Sequence, residues 1–281
     1  MKKQIFTLIG LSSSLALFAQ TPASKVVLSK GQKIVVTTTV SIVSSMAPGM
    51  EANVTSVNEN LLEVKNTADK NSTISSTLTK VKLNMEMPGN TNSYDSEKKE
   101  DQNTEIGKGM SERLNKVTDI TIDNASGTAL TTTKPAPKKD IDEANPMQNM
   151  MNMFGDTGSD EGVVSGAFQL IPAGKKPGDS WSDSTIEKDL KVRRTYNFKS
   201  IADTGSIVQL TTVIESTGTM EMMGMSMDVN TTTQTTSDIL LDIATGLVKR
   251  KSSEANVTGN FQLMGQAVPV SAKATTLSTY K

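Results

Sequence analysis

Three short patterns occur twice along this chain, in the same order, and they constrain its architecture more than any other feature. The first is an apolar-polar stretch interrupted by a turn-like cluster: Val54-Thr-Ser-Val57-Asn-Glu-Asn-Leu61-Leu-Glu-Val64, and later Phe198-Lys-Ser-Ile201-Ala-Asp-Thr-Gly-Ser-Ile207-Val-Gln-Leu210. The second is Met85-Glu-Met-Pro-Gly89 against Met220-Glu-Met-Met-Gly224, and the third is Asp119-Ile-Thr-Ile-Asp123-Asn-Ala-Ser-Gly127 against Asp238-Ile-Leu-Leu-Asp242-Ile-Ala-Thr-Gly246. Three matches in register argue for two halves built on one plan. Because the matched segments alternate apolar and polar residues, that plan is strand-rich and the two copies are expected to share one sheet.

The alternation recurs in many places. Ile34, Val36, Val40 and Ile42 share one face of a first strand, and Val81, Leu83, Met85 and Met87 share one face of a later one. Tyr196 with Phe198, then Val208, Leu210 and Ile214, then Met223, Met225, Met227 and Val229 keep the same period. Val268, Val270, Ala272 and Ala274 supply a last strand. Turns are expected at Asn58-Glu59-Asn60, Asp203-Thr204-Gly205, Ala125-Ser126-Gly127 and Ala244-Thr245-Gly246, where Gly or Asn can adopt positive φ. The expected fold is mainly β: a long-stranded, curved antiparallel sheet, half-barrel-like, of about nine to twelve strands built from two pseudo-repeats, with one or two short helices in or over the concave face.

Two segments follow a helical period instead. Ile106, Met110 and Leu114 recur every four residues within Thr104 to Val117. Met147, Met150, Met151 and Phe154 follow the i, i+3, i+4, i+7 spacing, with Asn145 as N-cap, Pro146 in the first turn and Gly155 as a stop. Polar segments flank this second helix, Lys134 to Lys139 before it and Asp156 to Glu161 after it, so it reads as a tethered element joining the halves. The domain reading is a leader at 1–20 and a single β-rich domain at 21–281. Within that domain, unit one covers about 31–133, the helix-bearing linker about 134–161 and unit two about 162–281.

The leader is inferred from Lys2 and Lys3, an apolar run from Ile5 to Phe18, and small residues around Ala19 and Ala23. That layout is a secretory signal, since the run is shorter than the ~20 residues a membrane-spanning helix needs. Cleavage is expected after Ala19 or Ala23, giving an exported protein, periplasmic or extracellular, with no transmembrane segment in its mature chain. There is no cysteine, so neither a disulfide nor lipid attachment through a cleavage-site cysteine is available. With 29 Lys and Arg against 30 Asp and Glu, the chain lacks the basic excess with which proteins replace phosphate counterions, so nucleic acid is not an expected partner.

Histidine is absent too. That removes imidazole bases, histidine-dependent triads and nearly all catalytic zinc sites. A non-enzyme without cofactor or metal is the expectation. Ile201-Ala-Asp203-Thr-Gly205-Ser206, and less closely Phe154-Gly-Asp156-Thr-Gly158-Ser159, carry the letters of an aspartic-peptidase signature, a chemistry that needs two carboxylates and no histidine. Asp203 is better explained as a hairpin-turn residue. Asp119 with Asp123, and Asp238 with Asp242, could pair as ligands or as acid and base, yet each pair precedes a small-residue turn in which Asp commonly caps backbone N–H groups.

Methionine outnumbers the aromatics, 16 against one Trp, three Tyr and six Phe. Flexible, polarizable Met surfaces re-pack around variable apolar partners. One arrangement is therefore an adaptable concave surface lined by Met85, Met87, Met220 and Met222 and covered by Met147, Met150, Met151 and Phe154. The other is an ordinary core in a domain short of aromatics. The stripe fits both.

Ser93-Tyr-Asp-Ser-Glu97, Pro177-Gly-Asp-Ser-Trp181 and Leu241-Asp-Ile-Ala-Thr-Gly-Leu-Val248 together resemble a family of secreted bacterial proteins with a domain of unknown function. Many of those relatives are lipoproteins; the missing cysteine implies a soluble exported form here. More remotely, the order of long strands, central helix and Asp-x-x-Thr-Gly hairpins is similar to the open half-barrels of periplasmic lipoprotein carriers. That likeness is at the level of fold and transfers no activity. The functional expectations are an envelope protein that binds an apolar ligand such as a lipid or acyl chain, or a structural or protein-interaction module with a dry core.

Overall fold

The computed structural model describes residues 22–47, 50–111, 113–130, 159–202, 204–222, 225–263 and 266–281. Their alternating side chains form eleven strands: β1 (Lys33–Ala47), β2 (Met50–Thr67), β3 (Asn71–Met87), β4 (Asn90–Asp95), β5 (Val117–Asp123), β6 (Ser180–Ile186), β7 (Leu190–Ala202), β8 (Gly205–Met222), β9 (Met225–Leu241), β10 (Val248–Leu263) and β11 (Gln266–Tyr280). All lie in one antiparallel sheet ordered β4-β3-β2-β1-β11-β10-β9-β8-β7-β6, with β5 also on β3. The halves meet where β1 pairs β11, from Val36 opposite Tyr280 to Ser45 opposite Ser271. The ends of this order do not pair with each other, so the sheet is open.

Two of the three repeated patterns fall at matching places in the register. Met87 pairs Asn90 across Pro88-Gly89, and Met222 pairs Met225 at the end of the matching segment. In the second half β8 pairs β9 continuously from Met222 opposite Met225 to Ser206 opposite Leu241. In the first half the same partner is split: β4 pairs residues 82–87 of β3, the chain leaves to form α1 (Glu105–Ser111), and β5 returns to pair residues 71–77. The α1 excursion is an insertion into one copy of a strand.

The first of the three sequence matches does not survive. Residues 54–64 lie within the single strand β2, whereas 198–210 form the β7–β8 hairpin, in which Ala202 pairs Gly205. The turn expected at Asn58-Glu59-Asn60 is instead strand. Asn58 pairs Thr38 on one side and Val81 on the other, and Asn60 is buried between Val36 and Leu78, beside a bulge at Thr79. These asparagines occupy strand positions because the sheet's inner face is polar where they sit.

That inner face carries the buried side chains and the helices. One cluster joins Ile34, Leu62 and Ile74 of the first half to Phe198, Val208 and Ile239 of the second through Val163, Val164, Ala167 and Phe168, contributed by a second helix, α2 (Asp160–Gly166), and its C-terminal extension. The sheet curls, since the adjacent residues Val26 and Val27 bond Asn124 O just after β5 and Thr245 O between β9 and β10, places several strands apart in the sheet order. Burial of the cluster is the main stabilising term. α2 corrects the expectation of a purely polar segment at Asp156 to Glu161: the Ser159 hydroxyl accepts from Gly162 N at 3.0 Å, capping a helix with Asp160 and Glu161 in its first turn. A second cluster, with Ala52, Val54, Leu78, Val81, Leu83, Met85 and Tyr94, is covered by Ile106, Met110 and Leu114, the stripe read from the sequence around α1. Thr104 caps α1 by accepting from Gly107 N at 3.1 Å. The Met147 to Phe154 segment lies outside the described residues. No helix among the described residues is long and apolar enough to cross a membrane.

Two straps bind the halves. Val26 N donates to Asn124 O at 2.7 Å in the first repeated turn, and Val27 N to Thr245 O at 3.0 Å in the second. On the other strap, Gln169 N donates to Gly246 O, and Ala167 O accepts from Val248 N, both at 2.9 Å.

Candidate functional site: the inner face of the sheet

Following the strand register across the inner face gives rows of side chains about 4.8 Å apart. The first row reads Val81, Asn58, Thr38, Ser278, Lys251, Ile239, Val208, Phe198. The next reads Leu83, Ser56, Val40, Thr276, Ser253, Ser237, Leu210, Tyr196, Trp181. A third runs from Met85 through Val54, Ile42, Ala274, Ala255, Thr235, Thr212 and Arg194 to Asp183. Apolar residues occupy both flanks of the first two rows, whose centres are mostly hydroxyls and amides, while the third row ends in the Arg194–Asp183 ion pair. Thr38 and Ser278 hydrogen-bond at 3.1 Å, and Ser237 and Ser253 at 2.8 Å, so the buried hydroxyls satisfy one another.

Along β10 and β11 the character changes with depth. Lys251 and Ser278 are followed on the same face by Ser253 and Thr276, then Ala255 and Ala274, then Val257 and Ala272. Val257 and Ala272 are buried, as are Val192 and Val270, yet none of the four belongs to either core cluster. The face thus grades from polar to apolar over a floor of small side chains.

Lys251 stands out chemically. It is flanked across the strands by Ile239 and Ser278, both buried, and no carboxylate among the described residues pairs with it. Its own surface is half-buried, but the protein packed around it desolvates the ammonium and pushes its pKa below the ordinary lysine value. Arg194, another cation of this face, is neutralised: its Nη1 meets Asp183 Oδ1 at 2.9 Å. Beside that pair, Trp181 stacks on Tyr196 with ring centroids 5.1 Å apart and planes within 4°. Burial, reinforced by the Asp183 charge, pushes the Tyr196 hydroxyl up to about 12.

The methionines are placed less simply than the sequence suggested. Met85 is buried among Val54, Leu83 and Tyr94, in closed packing rather than lining open space, and Met87 is exposed at the β3–β4 hairpin. Met220 and Met222 sit at the β8 end of the β8–β9 hairpin, opposite Met227 and Met225. Met147, Met150, Met151 and Phe154 lie outside the described residues, as do Asp203 and Asp156 of the peptidase-like letters. Of the Asp pairs, Asp123 and Asp242 act in turns, Asp123 Oδ1 accepting from Ala125 N at 3.1 Å and Asp242 Oδ1 from Ala244 N at 2.9 Å, whereas Asp119 and Asp238 are strand residues and Asp238 accepts from Gln209 Nε2 at 3.2 Å. A cavity of about 40 Å³ lies between Thr38, Asn58, Asn60, Met110 and Val163, room for water and not for an acyl chain. Sequence reasoning missed Lys251 because its neighbours in the chain, Arg250 and the serines that follow, read as solvated surface; only the register turns it inward.

Among solved structures, similarity extends to lipovitellin, studied for its lipid–protein interactions (10% identity, TM-score 0.49), over 90% of this chain and 25% of that one. An outer membrane channel of Pseudomonas putida F1 matches at 9% identity and TM-score 0.34, covering 92% and 99% of the two chains. OccK5 (OpdH) of Pseudomonas aeruginosa matches at 7% and 0.25, covering 89% and 98%. The chain spans only about a quarter of the lipovitellin chain, and likeness at these scores decides no ligand. No curated protein matches the sequence. A family of unknown function matches residues 69–248, from the turn before β3 to the start of β10, which is more than half of the sequence. The chain belongs to that family, DUF6263.

Proposed function

We propose that this is an exported, non-enzymatic envelope protein that holds a lipid or acyl chain against the inner face of its open sheet. The observation that carries the reading is the floor of Ala255, Ala274, Ala272 and Val257. These are small apolar side chains facing inward on adjacent strands, outside both core clusters. Small side chains on a concave sheet leave the volume that larger ones would fill, and apolar ligands are held by burial of their surface. The methionine-lined version of this surface loses Met85, which is committed to core packing. The ligand stretch therefore moves to β10 and β11.

A second reading, a structural or protein-interaction module with a dry core, is favoured by the tight filling around α1 and α2, where the cavity is only about 40 Å³. Protein purified from its native envelope separates the two. A carrier yields lipid in the organic extract by mass spectrometry, and Ala255→Trp with Ala274→Trp abolishes that lipid while circular dichroism stays β-rich. A clean extract from the unmodified protein, together with an envelope protein captured by cross-linking, would establish the module instead.

A further inference from the structure

Resting on the carrier reading, we infer that Lys251 is the head-group site and that the ligand is a single-chain amphiphile carrying one negative charge, its head at Lys251 and its tail along the floor toward Val257. Lys251 is placed by register, not by a flexible loop: its neighbours in the row are Ile239 and Ser278, and that row continues into the fully buried Val208 and Phe198. An ammonium in such a setting is costly unless something negative meets it. The protein supplies no such group among the described residues. Of the inner-face carboxylates, Asp183 is taken by Arg194 and Asp160 accepts from the Ser76 hydroxyl at 2.8 Å, and Glu254 and Asp238, adjacent to the site, are exposed on the opposite face.

The surroundings match the rest of an amphiphile. Ser278, Thr38 and Ser253 place hydroxyls around the ammonium's row, able to hydrogen-bond head-group oxygens. Beyond them the same face turns to alanine and valine. From Lys251 to Val257 the strand advances about 20 Å, at ~3.4 Å per residue. One charge at one end of a track of that length, which turns apolar beyond Ser253 and Thr276, describes a long-chain carboxylate or a lysophospholipid with a single anionic head better than a neutral lipid or a short acid.

The test uses the full processed protein, delipidated, titrated with cis-parinaric acid and with its methyl ester, fluorescence reporting entry into an apolar site. A second arm displaces the probe with lysophosphatidylglycerol or with a neutral monoacylglycerol of equal chain length, which separates a carboxylate from a phosphodiester as the source of the charge. The expected result is about tenfold or more preference for the charged member of at least one pair, the scale of one charge-assisted contact. Lys251→Met abolishes that preference, Lys251→Arg keeps it, and Lys273→Met on the outer face leaves it unchanged. Equal binding of charged and neutral members, or a preference that survives in Lys251→Met, overturns the head-group assignment and leaves the carrier reading standing. Absence of binding by all four ligands overturns both.

Discussion

Gly127 and Gly246 hold equivalent places in the two halves and are both pressed against the segment that follows α2. Their φ values are +74° and +73°, and a Cβ on either would collide with that segment: with Phe168 Cβ at 2.7 Å in the first case, with Leu170 Cδ2 at 2.6 Å in the second. One stretch of chain thus reads both copies of the repeated turn. Each turn is built alike, Gly127 N donating to Asp123 O at 2.7 Å and Gly246 N to Asp242 O at 2.8 Å.

The collision partners predict unequal costs. Phe168 Cβ is next to the backbone and cannot swing away, whereas Leu170 Cδ2 is the end of a flexible side chain. Both substitutions pay about 1 kcal/mol or more for a side chain at positive φ. Gly127→Ala should cost about 3 kcal/mol in urea unfolding and Gly246→Ala about 1–2 kcal/mol. Equal losses would mean that the strap yields as readily at Phe168 as at Leu170.

Phe198 and Ile186 sit at opposite extremes of burial on neighbouring strands, 1% and 74% exposed. Phe198→Ala should lose about 3–5 kcal/mol through cavity formation, and Ile186→Ala less than about 0.5 kcal/mol. Denaturant midpoints at constant slope report both.

Alkali should weaken the fold in a defined window. Burial pushes the Tyr280 hydroxyl up to about 12, against an ordinary value of 10.0. The unfolded chain therefore ionises first: the contribution is complete below pH 10 and is lost as pH rises through 12. The loss is about 2–3 kcal/mol for this residue. Stability of Tyr280→Phe measured from pH 9 to 12 should fall less steeply than that of the unmodified protein.

Lys251 acts in the opposite sense on the empty protein. Its pKa is lowered by desolvation, so the fold disfavours the ammonium near neutral pH and gains stability as pH rises toward the unfolded value. Lys251→Met should therefore raise the unfolding free energy of the ligand-free protein at pH 7. Differential scanning calorimetry at pH 7 checks the sign; a lower midpoint for the variant would show that the lysine is stabilising where it stands.

We propose that the leader is removed after Ala19. Ala23 N donates to Ile243 O at 2.9 Å, in the strap that reaches both turns. Of the two expected cleavage points, the one after Ala19 preserves that bond. N-terminal sequencing of the mature protein should therefore begin upstream of Ala23.

The strands, their common face and the α1 stripe were legible because period-two and period-four patterns report burial directly, as Ile34 with Val36 and Ile106 with Met110 show. The repeated Asp-to-Gly turns were legible because side-chain capping and positive φ restrict residue choice at Asp123 and Gly127. Asn58 and Asn60 misled because their turn propensity is local, while their place is set by distant partners, Thr38, Val81 and Leu78. α2 was hidden by its acidic first turn, although Ser159 with Asp160 and Glu161 is a capping signal. The lysine at the centre of the inner face was hidden for a related reason: Ala255 and Val257 share its face by period two, but the polar residues from Lys249 to Glu254 mask that alternation, and pairing with β9 and β11 makes it plain.

The seam between Val36 and Tyr280 joins residues far apart in the chain. Every other neighbouring pair of long strands is consecutive and can zip from its own hairpin, but the central seam must wait until β11 has been made. Closing so large a loop is slow and comes late, so the two halves meet as preformed ribbons whose exposed edges are, until then, open to mispairing with other chains. Assembly of this protein should accordingly be limited by the union of β1 with β11, and a chain shortened before β11 should aggregate instead of persisting as half a sheet.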